Sequence, residues 1–406
     1  MALKSTEPLP NFRDARSLVM KLMAIPGTSG QETAVAEFIQ AELRRVGVPP
    51  SAWTIDSAHR RTPIQGEMGN MALKLATASH ATRRLGPRRM LMAHMDTVPI
   101  CVGSRPVRRG NIVRSSDPRT GLGADDRAGV AVVLFVAREL IRLEVDHPPL
   151  TFLWTVQEEI GLQGARHVRR GMLGKPSLAF NWDGGSPHKL TIGATGGYRM
   201  EINIRGIASH AGNKPEEGVS AIAISSAAIT ELHDTGWHGQ IRKEGQYGTS
   251  NVGIIRGGQA TNVVTDHVYV KAEARSHNGT FRKRIVREIQ AAFRRAVKRV
   301  KNQRGRSGRV EFEGTLDYDS FCMDRHEPCV QAAESAIRSD GGEPELAIAL
   351  GGVDANWMFA HGIPTVTLGC GQSNPHMVSE SLDLRRFETA CRIAWRLATA
   401  TEGAGL

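Results

Sequence analysis

The sequence lacks a hydrophobic run that could cross a membrane. Its longest apolar run, VAVVLFVA at 130–137, has eight residues, whereas a membrane-spanning helix needs about 20. The first residues, MALKSTEPLPNFRDARS, contain no apolar core of the kind that secretory signals carry. We therefore expect neither secretion nor a membrane partner.

Cysteine is scarce and irregularly spaced. The chain of 406 residues has five cysteines, an odd number, and none of them forms a CxxC pair. They are Cys101, Cys322, Cys329, Cys370 and Cys391. This usage argues against a disulfide-stabilised scaffold and favours reduced thiols. The sequence therefore predicts a cytoplasmic protein.

Positive charge is in excess, with 52 basic against 41 acidic residues and a formal net charge of +11. Such an excess can indicate nucleic acid as a partner. Much of it lies in 281–309, FRKRIVREIQAAFRRAVKRVKNQRGRSGR, where apolar residues recur at helical spacing. No zinc-finger, RNP-type or interleaved aromatic motif accompanies this segment. We interpret it as an amphipathic helix with a solvated basic face, and we do not expect nucleic acid as a partner.

The length of the chain and the change of its pattern predict two domains. Residues 1–195 alternate buried strand-like runs, such as RRMLMAH and PLTFLWTV, with amphipathic or apolar helical runs such as DRAGVAVVLFVARELIRL. This alternation is typical of an α/β domain whose sheet is mixed but largely parallel, with helices on both faces. The same pattern returns over 318–406.

Residues 196–317 follow a different pattern. Alternating strand-like and helical segments succeed one another in the order β-α-β-β-α-β, which is typical of a ferredoxin-like α+β domain. Because α/β patterns precede and follow it, we expect this domain to be inserted within the first.

The predicted strands of the first domain end in residues that could bind metal. Ligands of such sheets lie beyond the carboxyl ends of the strands. Each residue alone has an ordinary explanation, such as a helix cap or a turn. Together, so many carboxylates on one rim indicate divalent cations that offset their repulsion. The residues are His94, Asp96, Asp125, Asp126, Glu158, Glu159, Asp183 and His376.

These residues lie in motifs that resemble a known family. AHMDTVP, GLGADDRAGVA, TVQEEIGLQGA, NWDGG, ASHAGNKPEEGVSAI and the distal His376 resemble the dizinc exopeptidases related to carboxypeptidase G, aminoacylase and peptidase T. GADDRAG, EEIG and VDANW…GIPTVTLGCG…PH most resemble the peptidase T (tripeptide aminopeptidase) branch. The resemblance implies a dizinc exopeptidase-like catalytic domain with an inserted lid domain, through which two copies form a homodimer.

The resemblance also implies a set of metal ligands. His94 and Asp183 would bind one cation, Glu159 and His376 the other, and Asp125 would bridge the two. Zinc is the expected metal, although the same ligands accept cobalt or manganese. The family further implies a cis peptide bond between Asp125 and the residue after it.

Three residues receive catalytic roles from the resemblance. Glu158 would act as the general base towards the attacking water and then pass the proton to the leaving amine. Asp96 would accept a hydrogen bond from the ring of His94 and fix its tautomer. His210, in the lid motif ASHAGNKPEEG, would stabilise the oxyanion, often in the site of the other subunit.

Four further residues would bind substrate. Asn262 and Arg275 fall where the family keeps groups that hold the substrate, and the backbone of Gly351 and Gly352 could contact it. A salt-bridged strand residue is an equally simple interpretation of Arg275. The lid strand carries Glu273 where many relatives have aspartate, which leaves open how the end of the substrate is recognised.

The leading hypothesis is a metal-dependent exopeptidase that takes short peptides and releases the N-terminal residue. A carboxypeptidase or an amidohydrolase acting on N-acyl or N-carbamoyl amino acids is the alternative, because it would use the same attack by water. An inactive relative serving as a binding or scaffold protein is a third hypothesis. The intact set of ligands and Glu158 argues against it.

Overall fold

The computed structural model of the protein describes residues 10–77 and 85–400, so part of the N-terminal segment considered above lies outside the described residues. The chain divides into two units. Unit 1 comprises Met1–Gly193, Cys322–Ala349 and Val353–Leu406, and unit 2 comprises Ala194–Phe321 and Leu350–Gly352. The predicted insertion, 196–317, lies within unit 2, which also includes the short segment before Val353.

The helices in chain order are α1 Phe12–Leu22, α2 Thr33–Arg44, α3 Ala124–Leu143, α4 Gln163–His167, α5 Ala221–Asp234, α6 Gly279–Arg299, α7 Pro328–Ser339, α8 Ala355–Ala360 and α9 Leu384–Thr399. Among the described residues, no helix has the length and apolar content that a bilayer crossing requires.

The strands in chain order are β1 Trp53–Ile55, β2 Met71–Leu75, β3 Arg89–His94, β4 Pro106–Arg109, β5 Ile112–Ser115, β6 Leu150–Thr155, β7 Leu178–Trp182, β8 Lys189–Ala194, β9 Gly196–Arg205, β10 Gly239–Lys243, β11 Gln246–Gly257, β12 His267–Ser276, β13 Arg309–Tyr318, β14 Phe321–Cys322, β15 Glu345–Ala349, β16 Thr365–Leu368, β17 Gln372–Ser373 and β18 Ser381–Asp383.

The main sheet of unit 1 has four parallel strands at its centre. Its order runs β1-β2-β6-β3-β7-β16-β8-β14, and β15 also pairs with β8. Strands β6, β3, β7 and β16 are parallel to one another, while the pairs β1–β2, β2–β6 and β16–β8 are antiparallel. The register pairs His94 with Thr155 and Leu368 with Trp182, which are the last residues of these four strands. The carboxyl ends of the parallel strands therefore meet at one edge of the sheet.

The central strands are apolar because both of their faces are covered. All six residues of β3 and all six of β6 are buried. Met90 and Met92 pack into a cluster with residues of α4 and α8, whereas the opposite face is covered by α3, which contacts β3 and β7. The strands of a sheet that is covered on both faces have continuous hydrophobic sequences. The predicted fold class is confirmed.

Unit 2 contains a five-stranded antiparallel sheet in the order β10-β11-β12-β9-β13. Helices α5 and α6 contact each other and pack on the sheet. The chain order contains the predicted β-α-β-β-α-β pattern with one more strand, β10. The sequence did not reveal β10, because only Ile241 of its five residues is buried and the others are glycine or polar.

Candidate metal centre

The carboxyl edge of the parallel strands brings most of the predicted ligands together. His94 is the last residue of β3, and Asp183 directly follows β7. Glu158 and Glu159 lie in the loop after β6, and His376 lies in the loop between β17 and β18 with a left-handed φ of 63°.

Asp125 lies between the two imidazoles. Its Oδ1 is 3.3 Å from Nε2 of His94 and its Oδ2 is 3.3 Å from Nε2 of His376. Two ligands that are each about 2.0–2.1 Å from a zinc ion, at a tetrahedral angle, lie about 3.3 Å apart. Each oxygen of Asp125 thus faces its own imidazole, which is the arrangement of a carboxylate that bridges two cations. The Asp125–Asp126 peptide bond is cis, as predicted.

The neighbouring donors complete a set that suits two divalent cations. Donor atoms of His94, Asp125 and Glu159 lie within 4.8 Å of one another, and so do those of Asp125, Asp126 and Asp183. His376 Nε2 is 2.9 Å from Oε1 of Glu159. The buried Oδ1 of Asp125 has no hydrogen-bond partner, so a cation would satisfy it.

Burial, and then the crowding of carboxylates, raises several pKa values. Burial, and then the Asp125 carboxylate, raises the pKa of Asp183 to about 7. Burial also raises the pKa of Glu158 well above its ordinary value, and the nearby Asp183 and Glu159 add to that shift. Burial and Asp125 raise the pKa of Glu159, although His376 partly opposes them. Positive charge at this place would therefore be stabilising.

The pKa values of the two imidazoles are also raised, because the carboxylates favour their protonated forms. Asp125 and Glu159 raise the pKa of His376 to about 10. Burial lowers the pKa of His94, but the carboxylates of Asp125 and Asp96 raise it by more, so its pKa is well above the ordinary value. Burial opposes ionisation of Asp125, yet His376 and His94 hold its pKa below the ordinary value.

Asp96 holds the backbone more firmly than it holds the imidazole. Its Oδ1 is 3.4 Å from Nδ1 of His94, and that nitrogen makes no hydrogen bond. The carboxylate instead accepts the backbone N–H groups of Glu158 at 2.9 Å and Glu159 at 3.1 Å, and the hydroxyl of Ser29 at 2.6 Å. The predicted contact between Asp96 and His94 is thus an ion-pair contact. The hydrogen bonds of Asp96 are made instead to Ser29 and to the loop that carries Glu158.

Sequence reasoning missed the role of Glu380. This buried side chain accepts N–H groups from the turn before α3: Leu122 at 2.8 Å, Gly123 at 2.7 Å and Asp125 at 2.9 Å. It therefore fixes the backbone of the bridging residue. Its segment, SNPHMVSE, is polar and has no periodicity that would predict a buried glutamate.

Asp126 and Asp354 are also buried beside the centre. Asp126 accepts N–H groups of Gly129 at 3.0 Å and His94 at 3.3 Å, so its oxygens are bound to the backbone. Asp354 accepts the hydroxyl of Thr155, and burial raises the pKa of Asp354 to about 6. These contacts join α3 and α8 to the ends of the central strands.

Within unit 2, the structure brings His210 and Asn262 together. The backbone N–H of Ala211 donates to the carbonyl of Asn262 at 2.9 Å. His210 is exposed, and its Nδ1 accepts the N–H groups of Gly212 and Asn213, both at 3.1 Å. A neutral imidazole whose Nδ1 accepts must carry its proton on Nε2. His210 is therefore set up as a hydrogen-bond donor.

Arg275 and the two predicted glycines form a second group in unit 2. The guanidinium of Arg275 donates through Nε and Nη2 to both oxygens of Glu273, each at 3.0 Å. A methyl group on Gly351 would lie 3.9 Å from Nη1 of Arg275, and one on Gly352 would collide with Tyr318. The salt bridge considered from the sequence is thus present, and Nη1 faces Gly351.

Comparisons with known proteins show which family the chain resembles. The sequence model of a family described as "Peptidase family M20/M25/M40" matches residues 90–400. Uncharacterized protein YqjE of Bacillus subtilis is 34% identical over 73% of this chain and 76% of its own length. Carboxypeptidase G2 of Pseudomonas is 28% identical over 63% of this chain and 58% of its own length.

Two solved structures resemble nearly the whole chain. A tripeptidase from Staphylococcus aureus has a TM-score of 0.83 and 26% identity, and the match covers 96% of this chain and 98% of that one. Aminopeptidase PepT from Bacillus cereus has a TM-score of 0.78 and 28% identity, with the same coverage of both chains.

Proposed function

The chain belongs to peptidase family M20/M25/M40 and is a metallohydrolase, and from this premise we propose that it is an exopeptidase of the tripeptide aminopeptidase type. It would hydrolyse short peptides and release their N-terminal residue. The observation that carries this proposal is the likeness, over 96% of the chain, to structures described as a tripeptidase and an aminopeptidase.

Two divalent cations would occupy the centre. His94 and Asp183 would hold one, Glu159 and His376 the other, and Asp125 both; zinc is the first candidate, with cobalt or manganese as substitutes. The facing of Asp125 towards both imidazoles supports a bridging carboxylate with one imidazole for each cation. When bound, the cations would lower the pKa of a water and polarise the scissile carbonyl.

Glu158 would move the proton. Its carboxyl group takes a proton from the attacking water and gives it to the leaving amine. Its burial and its raised pKa suit a group that must take up a proton and then release it. The neighbouring Glu159 is bound to His376 and is not available for this role.

His210 would supply a hydrogen-bond donor to the oxyanion. The proton on its Nε2, which follows from the two N–H groups bound at Nδ1, supports this role. We further propose a cytoplasmic homodimer formed through unit 2. Exposed apolar side chains of Ile222, Ile255 and Val263 in unit 2 support the dimer, and the free thiols of all five cysteines suit a reducing compartment.

Arg275, Asn262 and the backbone of Gly351 and Gly352 would bind the substrate. The second candidate function is a carboxypeptidase or an amidohydrolase acting on N-acyl or N-carbamoyl amino acids. The similarity to carboxypeptidase G2 supports it, as does Nη1 of Arg275, which could bind a substrate carboxylate. Because Glu273 already binds two nitrogens of this guanidinium, its capacity for a bidentate grip is reduced.

A blocked-substrate assay separates the two functions. Metal-reconstituted protein is offered one tripeptide in free, N-acetylated and C-amidated form, with Glu158→Gln as the control. The aminopeptidase proposal predicts that acetylation abolishes cleavage and that amidation matters less. Cleavage of the acetylated peptide would favour the second function. If two metals are bound and no form is cleaved, an inactive binding relative becomes the better explanation.

A further inference from the structure

The loop that carries the two glutamates is held by side chains at four consecutive backbone N–H groups. We call residues 156–159 the catalytic loop. Val156, Gln157, Glu158 and Glu159 donate at 3.1, 3.0, 2.9 and 3.1 Å to Asn70 Oδ1, Glu32 Oε1, Asp96 Oδ1 and Asp96 Oδ2, respectively. The acceptors come from three separate segments of unit 1, so no regular secondary structure explains the conformation.

This loop requires support because its backbone is unusual. Gln157 has a left-handed φ of 55°, which is costly for a residue other than glycine and persists only where surrounding contacts enforce it. The N–H of Gln157 is bound by Glu32, and its side-chain amide donates to the carbonyl of Gln65. The conformation of Gln157 in turn sets the directions in which Glu158 and Glu159 leave the backbone.

The supporting residues are buried and fixed in their own right. Glu32, Asn70 and Asp96 are each 0% exposed. Oε1 of Glu32 also accepts the N–H of Gly30 at 2.8 Å. The side-chain amide of Asn70 donates to Asp56 and to the carbonyl of Gly164, both at 2.9 Å. The catalytic loop is therefore held by side chains that are themselves buried and hydrogen-bonded.

We propose that Glu32 and Asn70 are positioning residues that aim Glu158 at the water and Glu159 at the metal. The inference rests on the proposed function for the role of Glu158. Both positions precede residue 90, where the family match begins. Ser29 contributes through its hydrogen bond to Asp96, so the segment 29–32 supports the catalytic loop at two points.

The hydrogen-bond pattern distinguishes this role from simple packing. Oε1 of Glu32 accepts two N–H groups, while Oε2 has no hydrogen-bond partner. Glutamine keeps an acceptor at Oε1, whereas methionine fills similar space and offers only a weakly accepting sulfur. Comparison of Glu32→Gln with Glu32→Met therefore separates the effect of losing the hydrogen-bond acceptor from the effect of changing the side-chain volume. Glu139→Met is the matched control, because Glu139 is equally buried but pairs with Arg142 on α3.

The test combines kinetics, metal content and hydrogen exchange on the full-length protein loaded with zinc. Glu32→Met is expected to lower kcat about 10- to 100-fold, the cost of a misplaced catalytic group, with KM changed less than about threefold. Metal content should stay at the wild-type value, and exchange of the amides of 156–159 should accelerate. Glu32→Gln should restore most of kcat, and Glu139→Met should leave kcat and these amides unchanged.

Several results would overturn the inference. One is unchanged amide exchange at 156–159 in Glu32→Met. Another is a loss of kcat in Glu32→Met that is reversed by added metal, or a loss of the same size in Glu139→Met. If Glu32→Met does not fold, Asn70→Ala tests the second positioning residue and should accelerate exchange at the Val156 amide, which donates to Asn70 Oδ1; unchanged exchange there counts against the proposal. If the wild-type protein cleaves no peptide, the proposed function fails, and exchange still decides this inference because it needs no substrate.

Discussion

At the scale of single residues, each side chain of the centre takes its role from what it faces. Asp125 faces one imidazole with each oxygen. Glu159 is bound to His376, while its neighbour Glu158 is buried with a raised pKa. Two adjacent glutamates can thus serve different purposes, because the backbone turns them towards different partners.

Glu380 offers a test of how the bridging residue is held. In Glu380→Gln, the side-chain NH₂ would oppose one or more of the N–H groups of Leu122, Gly123 and Asp125 that the carboxylate now accepts. We expect metal affinity to fall about 10- to 100-fold and the free energy of unfolding to fall by about 1–3 kcal/mol. A chelator competition and a denaturant titration measure these effects. Glu388→Gln, at a partly exposed glutamate paired with Arg16, is the control; equal metal affinity in both variants would contradict the prediction.

Glu32 gives a prediction for pH dependence. Burial, and then the charge of Asp96, raises the pKa of Glu32 from 4.5 to about 7, although backbone hydrogen bonds from Gly30 and Gln157 act to lower it. Because the folded state binds this proton more tightly, the contribution of Glu32 to stability is full below about pH 4.5 and is lost as pH rises through 7. Relative to Glu32→Gln, the wild type should lose on the order of 1–3 kcal/mol between pH 4.5 and 8. Denaturant titrations across this range measure it, and a constant difference between the two proteins would refute it.

Residues that take part in the chemistry are easier to predict from the sequence than residues that hold the backbone in place. His94 and Asp183 stand at or just beyond the ends of apolar strands, and His376 lies in the loop beyond the apolar run IPTVTLG; these positions made them candidates. Glu380 and Asn70 act by accepting backbone N–H groups from segments far away in the chain. No spacing or composition displays such contacts, so they emerge only from the fold.

At the scale of elements, close packing fixes α3 against the centre. A methyl group on Gly129 would lie 2.1 Å from the carbonyl oxygen of Trp182 and 2.5 Å from either oxygen of Asp126. Only glycine allows α3 to approach the end of β7 this closely. The absence of a side chain at Gly129 therefore allows α3 to place Asp125 in the ligand cluster.

Gly129→Ala should displace α3 from β7. We expect the free energy of unfolding to fall by about 1–3 kcal/mol or more, because the core has no room for the methyl group. Metal affinity should fall as well, since Asp126 must move. Gly171→Ala is the control, as nothing lies within 4 Å of the added methyl group there. Denaturant and chelator titrations that find Gly129→Ala equal to Gly171→Ala would contradict this explanation.

Periodicity explains which elements could be predicted. The long helices α3 and α6 and the buried strands β3 and β6 carry strong patterns, and the structure contains all four. The short strands of the second sheet of unit 1, in the order β17-β18-β5-β4, have two to four residues each and were not predicted. Strands of that length depend on their partners rather than on their own sequence.

At the scale of the whole molecule, the sequence predicted the fold class because two patterns alternate along it. The largely parallel sheet follows from continuous apolar strands, and the antiparallel sheet of unit 2 from alternating ones. The return of Leu350–Gly352 to unit 2 was not foreseen. Three residues are too few to show a domain by pattern, and only the path of the chain reveals their place.

The proposed chemistry requires two metals bridged by Asp125, with Glu158 as the base. Its most direct test is the metal content per chain of zinc-loaded wild type and Glu158→Gln, measured together with hydrolysis of a free tripeptide. We predict two metals per chain in both proteins and a loss of kcat of about 10²- to 10⁴-fold in the variant. One metal or none in the wild type, or a variant that retains wild-type kcat with both metals bound, would contradict the account.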